Sequence, residues 1–210
     1  MRLGVLGGTF DPIHIGHLAL AKTAQGSLSL DQVLFVPAGN PWFKSEIQPS
    51  PAHHRLKMVK LAALSSGRTF ASSAMEVDRP GPSYTVDTLE ELRRLYGRET
   101  ELFVLLGIDA LNELARWRTP EGVLSMATPV AMARPGHRCV DAAALEAIHQ
   151  GAAARVVKID GPAVGVSGTE IRERVYRRKS IARLVPTTVE EYIQEHRLYM
   201  DTTGRVEQRQ

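Results

Sequence analysis

The stretch Gly7-Gly8-Thr9-Phe10-Asp11-Pro12-Ile13-His14-Ile15-Gly16-His17 gathers residue types that suit a bound anion. Gly7 and Gly8 let the backbone come close to a ligand. The apolar run Leu3-Gly4-Val5-Leu6 ahead of them reads as a short buried strand, and Leu18-Ala19-Leu20-Ala21-Lys22 behind them reads as helix. A strand, a glycine turn and a helix start point free N–H groups and a positive dipole end at one spot. Asp11-Pro12 looks like the helix start, with Asp11 as cap and Pro12 in the first turn. His14 and His17 are three apart and share a face of that turn. Two histidines also raise the question of a metal, but no third ligand of the right kind, and no cysteine, lies nearby in sequence. Glycines, a helix start and two imidazoles together favour phosphate. A histidine placed there can donate to a phosphoryl oxygen and stabilise charge as it builds. The loop is therefore expected to cradle a polyphosphate.

A second stretch of the same character is Gly165-Val166-Ser167-Gly168-Thr169-Glu170-Ile171-Arg172. Ser167 followed three residues later by Glu170 fits a capping box. That helix start can bind phosphate as well. Arg172, expected in its first turn, is singled out from a basic run that continues through Arg174, Arg177, Arg178, Lys179 and Arg183. Most of that run reads as a solvated face. Lys44 follows Trp42 and Phe43, aromatics that a plain surface loop rarely carries, and is a candidate for an anionic ligand. Asp109 lies just past Gly107, where it could accept from ribose hydroxyls or cap a helix. Trp117 suits either the core or stacking on an aromatic ring.

These residues need a scaffold that brings them to one place. Strand-like and helix-like runs alternate along the chain, which implies an α/β doubly wound, mostly parallel sheet with helices on both sides. Strands are expected at Arg2–Leu6, Gln32–Val36, Thr69–Ala74, Leu102–Leu106, Thr128–Ala133 and Arg155–Ile159. Helices are expected over Gly16–Ala24, Ala52–Leu64, Val86–Leu95, Asp109–Ala115, Asp141–His149, Glu170–Arg177 and Val189–His196. Leu56, Met58, Val59 and Ala63 should line one face of the second helix, and Leu89, Leu92 and Leu95 one face of the third. In such folds ligands bind beyond the C-terminal strand ends. The unusual residues fall there repeatedly: Gly7 to His17, then Pro37, Trp42 and Lys44, then Ser83, Tyr84 and Thr85, then Gly107 and Asp109, then Arg134, then Gly165 to Arg172.

The chain has 210 residues, 43% hydrophobic and 23% charged, enough for one large α/β domain. That domain is expected over 1–200, with a C-terminal helical part from about 165 and a polar tail at 201–210. A net charge of +3 gives no argument for nucleic acid or a membrane surface as partner. Cys139 is the only cysteine, so an intrachain disulfide and a thiolate zinc cluster are both excluded. No basic-then-apolar leader and no apolar run near the ~20 residues of a spanning helix is present, so a cytoplasmic protein is expected. The sequence is compatible with a homo-oligomer.

Gly7–His17 resembles the GG(T/S)FDPxHxGH signature of nucleotidyltransferases with an HxGH motif. Val166–Arg172 resembles their second signature, ISSTxIR. Gly81-Pro82-Ser83-Tyr84-Thr85-Val86-Asp87-Thr88-Leu89, Gly107-Ile108-Asp109, Trp117 and the C-terminal run from Val185-Pro186 to Leu198-Tyr199 are similar to the bacterial nicotinate-nucleotide adenylyltransferases. The resemblance spans nearly the whole chain. It implies a Rossmann-like nucleotidyltransferase fold and transfer of an adenylyl group from ATP to nicotinate mononucleotide, giving nicotinate adenine dinucleotide and pyrophosphate. It further implies that His14, His17, Ser167, Thr169 and Arg172 hold the ATP phosphates. Gly107 and Asp109 would hold the adenosine, Lys44 the mononucleotide phosphate, and Thr85 and Trp117 the pyridine ring. Mg²⁺ would arrive on ATP, without dedicated protein ligands. Two departures stand out: Gly168 replaces the second serine of ISSTxIR, and Trp42-Phe43-Lys44 replaces Pro-His-Lys.

Other activities fit less well. Transfer to phosphopantetheine is disfavoured by Ser83-Tyr84-Thr85 and Trp117. The His-Ile-Gly-His pattern is also similar to class I aminoacyl-tRNA synthetases, but the chain lacks a KMSKS-like loop and room for an anticodon domain. A nucleotide sensor without catalysis is disfavoured by retention of both histidines and Arg172.

Overall fold

Six short apolar runs become the six strands of one sheet: β1 Arg2–Gly8, β2 Gln32–Pro37, β3 Phe70–Ser72, β4 Glu101–Gly107, β5 Thr128–Ala133 and β6 Val157–Asp160. The computed structural model describes residues 1–41, 48–133, 140–161 and 164–200. Every strand pair is parallel, in the order β3-β2-β1-β4-β5-β6. The helices are α1 Ile15–Ser27, α2 Ala52–Ser66, α3 Met75–Asp78, α4 Thr85–Tyr96, α5 Ile108–Asn112, α6 Pro120–Met126, α7 Ala142–Ile148, α8 Gly168–Tyr176 and α9 Thr187–Glu195. The doubly wound fold expected from the alternation is what forms, and its sheet is wholly parallel.

The four inner strands β1, β2, β4 and β5 bury both faces, as a parallel sheet requires, while the edge strands β3 and β6 are more open. Side chains alternate along a strand, so the two faces draw on different residues. Leu3, Val5, Leu34, Val36, Val104 and Leu106 point to a core closed by α4 to α7, through residues such as Leu89, Leu92, Leu111, Val123 and Leu145. Leu6, Val33, Phe35, Phe103, Leu105 and Met132 point to the other core, closed by α1, α2, α8 and α9 through residues such as Leu20, Met58, Ile171 and Ile193.

Several local expectations are corrected. Asp11 does not cap α1; His14 is the cap residue, with extended backbone at φ −143°. His17 occupies the third helical position, so the two histidines take the reciprocal places of a capping box. Leu95 does not share the buried face of Leu89 and Leu92 but is 67% exposed. In α2 the buried face is Arg55, Met58, Val59, Ala62 and Ala63, and Leu56 stands at its edge. The short helices α3 and α6 were not foreseen; each is too brief to show a helical period.

The sheet order reverses between β1 and β4, the point where a ligand crevice opens above the strand ends. Gly7 is the penultimate residue of β1 and Gly107 ends β4, and a Cβ on either would meet nothing within 4 Å. The crevice floor is thus open.

Candidate active site

Asp11 is the point where the two signature segments meet. Its carbonyl accepts from Arg172 Nη1 at 2.6 Å. A Cβ on Gly168 would lie 2.8 Å from the same carbonyl, closer than real Cβ atoms approach backbone. The serine absent at 168 is therefore explained: glycine lets the start of α8 press against the histidine loop. Ser167 caps α8 by accepting from the Glu170 N–H at 3.1 Å. The expected return contact is not made, because Glu170 accepts from Arg174 Nε at 3.0 Å. Arg172 lies at the fifth position of α8, one turn beyond where it was expected, and its Nη2 also donates to Thr169 Oγ1 at 3.3 Å. Ser167 and Thr169 are exposed at the helix start.

The histidines form a stacked pair with ring centroids 3.7 Å apart. The backbone N–H of His14 donates to His17 Nδ1 at 3.2 Å. With Nδ1 occupied as an acceptor, the proton of the neutral His17 ring sits on Nε2. His14 is 5% exposed, whereas His17 is only half-buried. Phe10 was expected among the ligand-contacting residues, but its ring is 2% exposed. It packs edge-on against His17 at 4.9 Å and against Phe35 at 6.1 Å. Phe10 therefore supports the His17 ring from below, and its ring cannot reach a ligand.

Ser83 was also expected to touch ligand. It is 8% exposed and faces inward. Its oxygen accepts from the Gly39 N–H at 2.9 Å and the Asn40 N–H at 3.3 Å, and its hydroxyl donates to the Glu76 carboxylate. Ser83 thus moors the loop after β2 to the start of α4. Gly39 is required there, since a Cβ would lie 2.0 Å from the Glu76 carbonyl. Tyr84 and Thr85 follow at the α4 start, partly exposed. Arg118 stacks over the Tyr84 ring at 4.6 Å and lies 3.9 Å from Asp87. The neighbouring Trp117 is partly buried against the same core as Tyr84.

Gly107 caps α5, so Asp109 is not the cap and stands exposed in the first turn at the end of β4. Thr9 is partly exposed, and its carbonyl accepts from Arg55 Nη1 at 2.9 Å. Lys44 and Arg134 lie outside the described residues.

Arg55 was not foreseen. It is 1% exposed, and its guanidinium donates to the carbonyls of Ser50, Thr9, Ala38 and Gly39 at 2.6 to 3.0 Å. These four carbonyls belong to the loops after β1 and β2, so one side chain ties the two loops together. Burial lowers its pKa, and the charge of Asp11 opposes that shift. The sequence did hold a signal: Arg55, Met58, Val59 and Ala62 have the spacing of one helix face, and a charge among apolar residues there marks a buried contact.

The Asp11 contact thus sets the start of α8 and Arg172 against the loop that carries His14 and His17, a combination of helix start, guanidinium and imidazoles that suits a phosphate-sized anion. The fold and the site together define a nucleotidyltransferase of the α/β type. Residues 5–174 match the family described as Cytidylyltransferase-like. A probable nicotinate-nucleotide adenylyltransferase of Acidothermus cellulolyticus is 42% identical over 207 residues, covering 97% of this chain and 96% of that protein. One from Thermus thermophilus is 43% identical over 199 residues, covering 95% and 100%. The solved structure of Plasmodium falciparum nicotinic acid mononucleotide adenylyltransferase complexed with NaAD shares the fold, with a TM-score of 0.75 at 18% identity over 94% of this chain and 97% of that one. The chain belongs to the Cytidylyltransferase-like family and, within it, to the nicotinate-nucleotide adenylyltransferases.

Proposed function

We propose that this protein transfers the adenylyl group of ATP to nicotinate mononucleotide, releasing pyrophosphate and forming nicotinate adenine dinucleotide for NAD biosynthesis. The observation that carries this is the junction at Asp11, where the His14–His17 loop and the Ser167–Arg172 helix start close on one another.

In the reaction a phosphate oxygen of the mononucleotide bonds to the α-phosphorus of ATP, and the bond from that phosphorus to the bridging oxygen breaks. The attacking oxygen is already anionic, so no protein base is needed. Alignment of the two nucleotides and stabilisation of charge on the leaving pyrophosphate do the work. His17 donates from Nε2 to a phosphoryl oxygen. His14 orients it, through its N–H on His17 Nδ1 and through the ring stack. Arg172, Ser167 and Thr169 hold the phosphates from the other side. Asp109 and Gly107 hold the adenosine beside β4. Thr85 and Trp117 hold the pyridine ring, Lys44 the mononucleotide phosphate, and Arg134 lines the ATP side. Gly7, Gly8 and Thr9 form the floor.

Mg²⁺ enters with ATP as part of the substrate. Phosphate oxygens and water are its expected ligands, as is usual for Mg²⁺ carried on a nucleotide. Among the described residues no helix is long and apolar enough to cross a membrane.

Purified protein given ATP, Mg²⁺ and either the acid or the amide mononucleotide tests the proposal. Pyrophosphate release is expected with both, and at least about tenfold faster with the acid. Release with neither would refute it, and a faster amide reaction would reassign the acceptor.

A further inference from the structure

Tyr199 lies beyond the last helix, 188 positions from Asp11, yet its hydroxyl donates to Asp11 Oδ1 at 2.6 Å. The way it gets there is built into the chain. Helix α9 ends in a double turn: the Arg197 N–H donates to the Gln194 carbonyl at 3.2 Å and the Leu198 N–H to the Ile193 carbonyl at 3.0 Å. This is the Schellman pattern, with Arg197 at φ +50° where glycine is usual. Leu198 packs on the core that holds Ile193, which completes the motif. Tyr199 itself takes φ +65°, a region that costs a non-glycine residue energy. Two adverse backbone conformations thus deliver one hydroxyl to one carboxylate.

That carboxylate is already committed elsewhere. Asp11 Oδ2 accepts from the Ser50 N–H at 3.0 Å, next to the Ser50 carbonyl that Arg55 holds at 2.8 Å. On its backbone side, the Asp11 carbonyl accepts from Arg172 Nη1. Position 11 is therefore fixed by contacts reaching 39, 161 and 188 residues along the chain. Any shift of Asp11 moves the carbonyl that aims the guanidinium.

We propose that Tyr199 is a positioning residue of the phosphate site: by holding the Asp11 carboxylate it sets the carbonyl that orients Arg172 toward the nucleotide. The inference rests on the adenylyl-transfer reading for its catalytic consequence, but the geometric link stands apart from the identity of the acceptor. The hydroxyl suits this task because it stays a donor. Its pKa is raised well above the usual tyrosine value, first by burial and then by the Asp11 charge, while Arg172 opposes the shift.

The test is Tyr199→Phe in the full chain, alone and combined with Arg172→Lys. Phenylalanine keeps the ring and removes the hydroxyl, with its bonds to Asp11 and to the Ser50 side chain at the same junction. The expected result is a fall in kcat of about tenfold with the KM for the mononucleotide unchanged. In the Arg172→Lys background the same change should lower kcat by less than about twofold, because the aim of the guanidinium is already lost. A role confined to anchoring the chain end would instead lower the melting temperature and leave kcat unchanged, or lower kcat equally in both backgrounds; either result overturns the proposal. If Tyr199→Phe does not fold, Asp11→Asn, which weakens the same junction from the other side, is put through the same cycle with the same two outcomes. ATP affinity by calorimetry separates the two claims. Should the wild type show no turnover, the adenylyl-transfer reading fails, while ATP binding weakened by Tyr199→Phe in the wild-type background but not in the Arg172→Lys background would still uphold the link, and equal weakening in both backgrounds would overturn it.

Discussion

Arg55 shows how much of the site depends on a residue that touches no ligand. A buried guanidinium is tolerated only when its donors are satisfied, and here four carbonyls from two loops satisfy them. Removing it leaves those carbonyls without their donor in a place where water has little access. Arg55→Met should lower the stability by about 3 kcal/mol or more, read as a fall in the denaturant midpoint. Arg55→Lys should recover only part, since an ammonium has three donors and no fixed fork. A midpoint unchanged in Arg55→Met would mean that the loops are held by other contacts. Residue types made the histidine loop and the Ser167–Arg172 run legible in the sequence. Arg55 escaped because a charged residue on a helix is ordinarily solvated, and only its register with Met58, Val59 and Ala62 betrays it. Asp11 was misread for a related reason. Asp-Pro looks like a helix cap, while the true partners of its carboxylate lie 39 and 188 residues away, beyond the reach of any local pattern.

At the scale of elements, the small helix α3 matters more than its four residues suggest. Glu76 on α3 is 7% exposed and accepts from Thr88 Oγ1 of α4 at 2.6 Å. The same carboxylate accepts from Ser83, which holds the loop after β2. Burial raises the Glu76 pKa, against the pull of the Thr88 and Ser83 hydrogen bonds and of Arg79. The folded state thus binds the proton more tightly than the unfolded chain. Its favourable contribution is complete below the unfolded carboxylate value and is lost as pH rises through the raised one. At neutral pH the fold therefore carries the cost of a buried charge. Glu76→Gln mimics the protonated side chain and should raise the denaturant midpoint at pH 7.5, with the gain shrinking toward zero near pH 4. A gain that persists at low pH, or a loss at pH 7.5, would contradict this. Neither α3 nor this contact was visible in the sequence. A four-residue helix shows no period, and the pairing of Glu76 with Thr88 depends on how the chain turns through Pro80-Gly81-Pro82.

For the whole molecule, the fold was legible because a parallel sheet buried on both faces demands continuous apolar strands. Leu102–Leu106 and Thr128–Ala133 stand out for that reason, and β5 has the bounds expected of it. Strand order follows from right-handed crossovers and the wish of consecutive units to pack side by side. The candidate site was legible where a strand ends in residues foreign to a core, at Gly7-Gly8 and Gly107, and at the helix start marked by Ser167. What the sequence could not give is how distant segments join. The C-terminal run ending in Leu198-Tyr199 is similar to a known family in sequence, but only the fold shows that its tyrosine reaches Asp11.

The proposed hold on the ATP phosphates rests most directly on His17, whose ring is held by Phe10, by the His14 stack and by the His14 N–H. Pyrophosphate release by His17→Ala, measured with saturating ATP and nicotinate mononucleotide beside a melting curve, puts it to the test. A fall in kcat of about 10²–10³-fold with the melting temperature little changed is the expected result. A rate equal to that of the wild type would show that His17 does not meet the nucleotide.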